Sequence, residues 1–169
     1  MLFLPYLQGE RAPHLDPAAR GGWIGLTARH DRRAIIRSVL EGVAYSLRDC
    51  FAIIREQGLP ISQVRITGGG AKGAVWRQIL ADVLDTELVT TQAQEGPSFG
   101  AALLAGVAAG TYPSVEAACR AVVRLGSRTE PNAANAQVYH QYYPVYQALY
   151  PALKTSFARL AAIGEGVHG

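Results

Sequence analysis

The chain opens with an apolar run, Leu2-Phe3-Leu4-Pro5-Tyr6-Leu7, in which Pro5 restricts the segment to an edge or irregular strand. Residues 9–22 are broken by Pro13, Pro17 and three Gly, a pattern that predicts a long ordered loop leading into a short strand, Trp23-Ile24-Gly25-Leu26. From Asp31 the period changes. Ile35, Ile36, Val39, Leu40, Val43, Leu47, Phe51 and Ile54 recur at three- and four-residue steps. This predicts a long amphipathic helix capped by Asp31 and stopped by Gly58-Leu59-Pro60.

Beyond that helix, Val64-Arg65-Ile66-Thr67 reads as a strand, 68–73 as a tight turn, 74–84 as a helix and 88–91 as a second strand. Together they predict a β-α-β unit with a parallel strand pair. Gly96-Pro97 starts another helix over 98–109, whose Ala and Gly content suits close packing on the sheet. A short helix follows at 115–125 and a loop runs through Pro131. The tail, 131–165, returns to helical spacing, with Pro144 and Pro151 expected to kink or divide it.

Composition narrows the class. With 49% apolar residues in 169, the chain can bury the core of one α/β domain and is too short to predict two. The formal charge of +3 does not point to nucleic acid, because Arg residues are spread along the chain. The one dense group, Arg29-His30-Asp31-Arg32-Arg33, reads as a solvated helix start without interleaved stacking aromatics. Cys50 and Cys119 lack any metal or redox spacing and are expected to be reduced core thiols. The longest weakly polar stretch, 99–109, falls short of a membrane span, so no membrane partner is expected and the cytoplasm is the expected compartment. His14 and Asp16 alone are too few for a metal site, and Glu41 reads as a paired polar group.

The candidate chemistry lies at Gly68-Gly69-Gly70-Ala71-Lys72-Gly73. After a strand and before a helix, backbone N–H groups and the positive end of the helix dipole converge, and residues without side chains let a ligand approach the main chain. The P-loop pattern fails because Lys72 precedes Gly73 and no Ser or Thr follows it. Gly68, Gly70 and Gly73 match the dinucleotide spacing, but Thr90 and Thr91 stand where an acid should end the next strand. The residues alone leave open a packing turn, a dinucleotide seat and an adenine-nucleotide seat.

Four stretches in order resemble the C-terminal domain of the FGGY carbohydrate kinases. They are Gly9-Glu10-Arg11-Ala12-Pro13-His14-Leu15-Asp16-Pro17 with Arg20-Gly21, then Gly25-Leu26-Thr27, then 67–76, then Gly96-Pro97-Ser98-Phe99-Gly100-Ala101-Ala102. The resemblance implies an actin-like, ribonuclease H-like fold with a mixed sheet flanked by helices. It implies that residues 1–169 form the nucleotide-binding second domain of a two-domain kinase using ATP and Mg2+. It places Gly68, Gly69, Gly70, Ala71 and Gly73 along the nucleotide, although Gly73 stands where glycerol kinases carry an Asn. Glu10-Arg11 is similar to the pentulose-kinase form, which makes these two a candidate cleft loop and D-xylulose the expected sugar. No catalytic or metal-binding residue is assigned within this chain; the catalytic Asp and the sugar-binding residues are expected in an N-terminal domain, without which the chain is expected to be inactive. A non-catalytic actin-like module and an NAD-binding domain are the rival classes. The run Tyr139, Tyr142, Tyr143, Tyr146 and Tyr150 is expected to pack on the N-terminal domain or on a second copy in a homodimer.

Overall fold

The computed structural model describes residues 1–92 and 96–167. Strands β1 (Leu2–Leu4) and β2 (Gly22–Ile24) pair antiparallel, Leu2 facing Ile24 and Leu4 facing Gly22. Helix α1 (Arg32–Glu56) follows, and its first turn is closed by the Asp31 carboxylate accepting from the Ala34 N–H at 2.9 Å. Strand β3 (Val64–Ile66), a 3-10 turn (Gly69–Lys72), α2 (Ala74–Leu84) and β4 (Leu88–Thr91) form the expected β-α-β unit, with β3 and β4 parallel. Then come α3 (Gly96–Ala108), α4 (Val115–Val122), β5 (Leu125–Thr129) and α5 (Ala133–Val167). The result is an α/β architecture with a mixed sheet ordered β3-β4-β5.

Several expectations are corrected. Residues 125–129, read as a helix end and loop, form β5 antiparallel to β4, Leu88 facing Thr129 and Thr91 facing Leu125. The strand is almost entirely exposed and contains Gly126 and Arg128, so it carries no alternating apolar signal. Helix α5 runs through Pro144 and Pro151 without dividing. Both rings are exposed, so the carbonyls deprived of a helical donor sit on the water side, while Tyr139, Tyr146, Tyr150 and Phe157 are buried on the other. Helix α3 has no buried residue and packs on α4, so its small side chains do not seat it closely in a core. Cys50 and Cys119 are free thiols, but both are only partly buried.

The core lies where α1, α2, β1 and α5 meet, around Leu4, Tyr45, Ile79, Val83, Leu88 and Tyr146. Helix α1 buries Ser38, Gly42, Ala44, Tyr45 and Asp49, not its most apolar stripe; Ile36 stays 56% exposed and Ile54 40%. Close approach explains the choice of face, because a Cβ at Gly42 would run into the Phe3 carbonyl. The tyrosine run is likewise absorbed within this chain. Tyr45 stacks on Tyr146 with ring centroids 5.0 Å apart, and Tyr142 alone of the run is left exposed.

Candidate functional site

The Gly turn is built by its own backbone. Gly68 leaves β3 at φ +79°, a conformation that L side chains rarely adopt. The Ala71 N–H then donates to the Gly68 carbonyl at 3.1 Å and the Gly73 N–H to the Gly70 carbonyl at 3.2 Å. Gly73 enters α2 with no side-chain cap, so the cap residue leaves the first-turn amides of α2 unengaged.

Beside the turn is an open cavity of about 390 Å³. Thr67, directly after β3, lines it with Gly68, Ala71 and Lys72 at the turn, Arg77 of α2, Thr90 to Gln92 at the end of β4 and Ser127 of β5. Two cations and several hydroxyls line it, with no carboxylate among the described residues. Arg77 donates from NH1 to the Ala71 carbonyl, while its Nε is buried without a hydrogen-bond partner among the described residues. Thr90 Oγ1 lies 3.2 Å from Ser127 Oγ, and the Gln92 N–H donates to the Arg124 carbonyl at 3.0 Å. Thr67 and Thr91 also border a second, largely apolar cavity of about 380 Å³ formed with Gly96, Pro97, Phe99 and Val123. The two make a groove with a cationic end and an apolar end at the start of α3.

The structure distributes the predicted residues unevenly. Gly68 and Ala71 line the cavity, whereas Gly69, Gly70 and Gly73 lie on the turn's exposed side. A Cβ at Gly69 would meet nothing within 4 Å; one at Gly70 would press on the Trp76 indole at 3.1 Å. Glu10 and Arg11 do not line this cavity. Glu10 accepts from the Ala12 and His14 N–H groups, both at 2.8 Å, and Arg11 is exposed. Their loop is tied to α5 instead: Tyr150 donates to Asp16 at 2.8 Å, and the His14 ring stacks on Tyr150 at 3.7 Å. Beneath it, Asp49 accepts from the Tyr143 hydroxyl at 2.6 Å, and burial raises its carboxyl above the ordinary range. Burial also pushes the Tyr6 hydroxyl up to about 12. Glu41 is paired, as expected, with Arg37 and Tyr139, each at 2.8 Å.

Arg77, Thr90, Gln92 and Ser127 were not foreseen. Arg77 had a usable signal, since a long side chain in the first turn of a helix leans back toward its N-terminus. Ser127 had none, because its strand was invisible in the sequence.

The fold is α/β, of the actin-like class. The family model for the C-terminal domain of the FGGY family of carbohydrate kinases matches residues 1–109, and the chain belongs to that family. It is 39% identical over 163 residues to a xylulose kinase of Staphylococcus epidermidis, covering 96% of this chain and 33% of that protein. It is 34% identical over 170 residues to a gluconokinase of Bacillus subtilis, covering 99% and 33%. The crystal structure of ligand-bound xylulose kinase from Lactobacillus acidophilus superposes with a TM-score of 0.84 at 31% identity, covering 94% of this chain and 32% of that one. The chain thus spans about a third of the length of the relatives it matches.

Proposed function

We propose that this chain supplies the nucleotide-binding wall of an ATP-dependent sugar kinase acting in the cytoplasm, with D-xylulose as the acceptor. Family membership supports sugar phosphorylation, and the xylulose kinase resemblance together with Glu10-Arg11 favours xylulose over gluconate. One observation carries the nucleotide reading: Gly68, turned to positive φ, opens a groove lined by Lys72 and Arg77 and, among the described residues, by no carboxylate. Such a lining suits a polyanion. It suits a directly held Mg2+ poorly, because that ion prefers carboxylate oxygens besides phosphate, and no group of three or more candidate metal ligands occurs among the described residues. A dinucleotide is disfavoured because β4 ends in Thr90 and Thr91, leaving no carboxylate for a ribose hydroxyl.

Phosphoryl transfer to a hydroxyl needs an aligned donor, charge stabilisation and a carboxylate to accept the hydroxyl proton. The turn and its cations hold and orient the donor. The base and most sugar contacts come from an N-terminal domain that closes over the groove and excludes water, so the isolated chain is inactive. Ala71→Leu is the test. Ala71 lines the groove and is only partly buried, so the melting temperature should be largely kept, while ATP binding by an enzyme containing this domain weakens at least about tenfold, the effect of a lost contact worth ~1.4 kcal/mol. Unchanged ATP affinity would remove the turn from the site.

A further inference from the structure

The cationic end of the groove holds a guanidinium whose hydrogen bonding is incomplete. Arg77 reaches back from the first turn of α2 and donates from NH1 to the Ala71 carbonyl, which fixes the 3-10 turn from inside. Its Nε is buried and unpartnered among the described residues, an arrangement that disfavours the closed turn as it stands. Among the described residues no carboxylate lines the cavity to neutralise Arg77 or the exposed Lys72 beside it. Thr90 and Ser127 also line it, with their hydroxyls 3.2 Å apart. Two cations and two hydroxyls in one lining, with a guanidinium N–H uncommitted, match an oxyanion and not the edge of an uncharged base.

We infer that Arg77 and Lys72 form a phosphate-binding pair, and that Arg77 couples the bound phosphate to the turn by exchanging part of its hold on Ala71 for a phosphate oxygen. This inference rests on the nucleotide reading above and adds the orientation: the phosphates lie toward Arg77, and the uncharged part of the ligand lies toward Phe99 and Pro97. The apolar half of the groove, which adjoins at Thr67 and Thr91, is consistent with that direction.

Calorimetry on the 169-residue chain with ADP, tripolyphosphate and adenosine tests it. Arg77→Met should weaken ADP and tripolyphosphate at least tenfold and leave adenosine within twofold; Arg77→Lys should recover part of the loss. Lys72→Met alters an exposed side chain, so the fold should be kept, and should weaken ADP two- to fivefold without touching adenosine. It keeps the test decisive if Arg77→Met fails to fold. An equal loss for ADP and adenosine in Arg77→Met would reduce Arg77 to a clamp on the turn and overturn the pairing. Binding of ADP and adenosine with equal affinity, and none of tripolyphosphate, would also overturn it while leaving the nucleotide reading intact. Tripolyphosphate binding that depends on Arg77, with no gain from adenosine, would uphold the pair and sink the adenine seat. No binding of any of the three would remove both.

Discussion

Asp82 should be among the most costly single positions to truncate, and the structure lets the cost be built up. It is 1% exposed on α2. Its Oδ1 accepts from the Gln78 side-chain amide and the Asn132 backbone N–H, both at 2.7 Å, and its Oδ2 accepts from the Asn135 amide at 2.9 Å. Asn132 in turn caps α5, accepting from the Asn135 N–H at 3.1 Å, so one carboxylate joins α2 to the start of the last helix. Hydrogen bonds to a charged group contribute about 1.5–3 kcal/mol each, but three sharing one acceptor group do not add fully. Gln78 keeps a second acceptor, the Glu130 carbonyl at 3.0 Å, and Asn135 is exposed enough to turn to water. Asp82→Ala should therefore cost roughly 3–5 kcal/mol, a large share of a domain stability of about 5–15 kcal/mol. In a chain of this size that lowers the melting temperature by roughly 6–20 °C. Asp82→Asn retains one oxygen for two donors, and an Asn135 flip can meet the new amide, so it should cost only about 1 kcal/mol. Thermal unfolding followed by circular dichroism separates the two. A loss of under about 2 °C in Asp82→Ala, or equal losses in both variants, would refute the account.

Gly42→Ala should destabilise the fold by about 1–3 kcal/mol in urea titration, because the added methyl meets the Phe3 carbonyl of β1. Helix propensity alone would stabilise it by about 1 kcal/mol, so the sign decides between them. Asp49→Asn should raise the melting temperature at pH 7. Burial holds the Asp49 carboxyl above its ordinary 3.8, so the folded state favours the protonated form and loses that contribution as pH rises through the raised value. The advantage of Asn should then shrink as pH falls toward 3.8, the neighbouring His14 and Glu10 being common to both proteins. An advantage that grew on acidification would contradict the burial argument.

The parts legible in the sequence were those whose residues interact with near neighbours. The Asp31 cap, the bounds of α2 and β4 and the turn between β3 and α2 all follow from residues within a few positions of one another. The parts that were not legible depend on distant partners. Helix α1 has two sides able to pack, and its period revealed an apolar stripe without revealing that Gly42 and Tyr45, facing β1 and α5, would be the buried side. Pro144 and Pro151 read as breaks because their tolerance depends on lying on the solvent side of a helix held by four buried aromatics. In the site, the Gly cluster marked the turn correctly but not the division of labour within it. Gly68 shapes the cavity edge, whereas Gly70 accommodates the Trp76 indole, a contact that spacing alone does not specify.

Ser127 shows how topology completes a site that no local motif announces. Because β3 and β4 are parallel, their C-terminal ends lie at one edge of the sheet, and the residues that follow them, Thr67-Gly68 and Gln92, emerge there together. The same edge receives the N-terminus of α2, since that helix begins directly after the turn that leaves β3. An antiparallel strand laid beside β4 must bring its beginning to that edge, and Thr91 facing Leu125 does so. Its second position cannot carry bulk, because a Cβ at Gly126 would run into Thr90 Oγ1. The strand can therefore lie close enough for Ser127 to share a hydrogen bond with Thr90. A residue at Gly126 larger than hydrogen would turn the Thr90 hydroxyl away and separate the two hydroxyls, so the form of this wall is set by a glycine outside the Gly-rich turn.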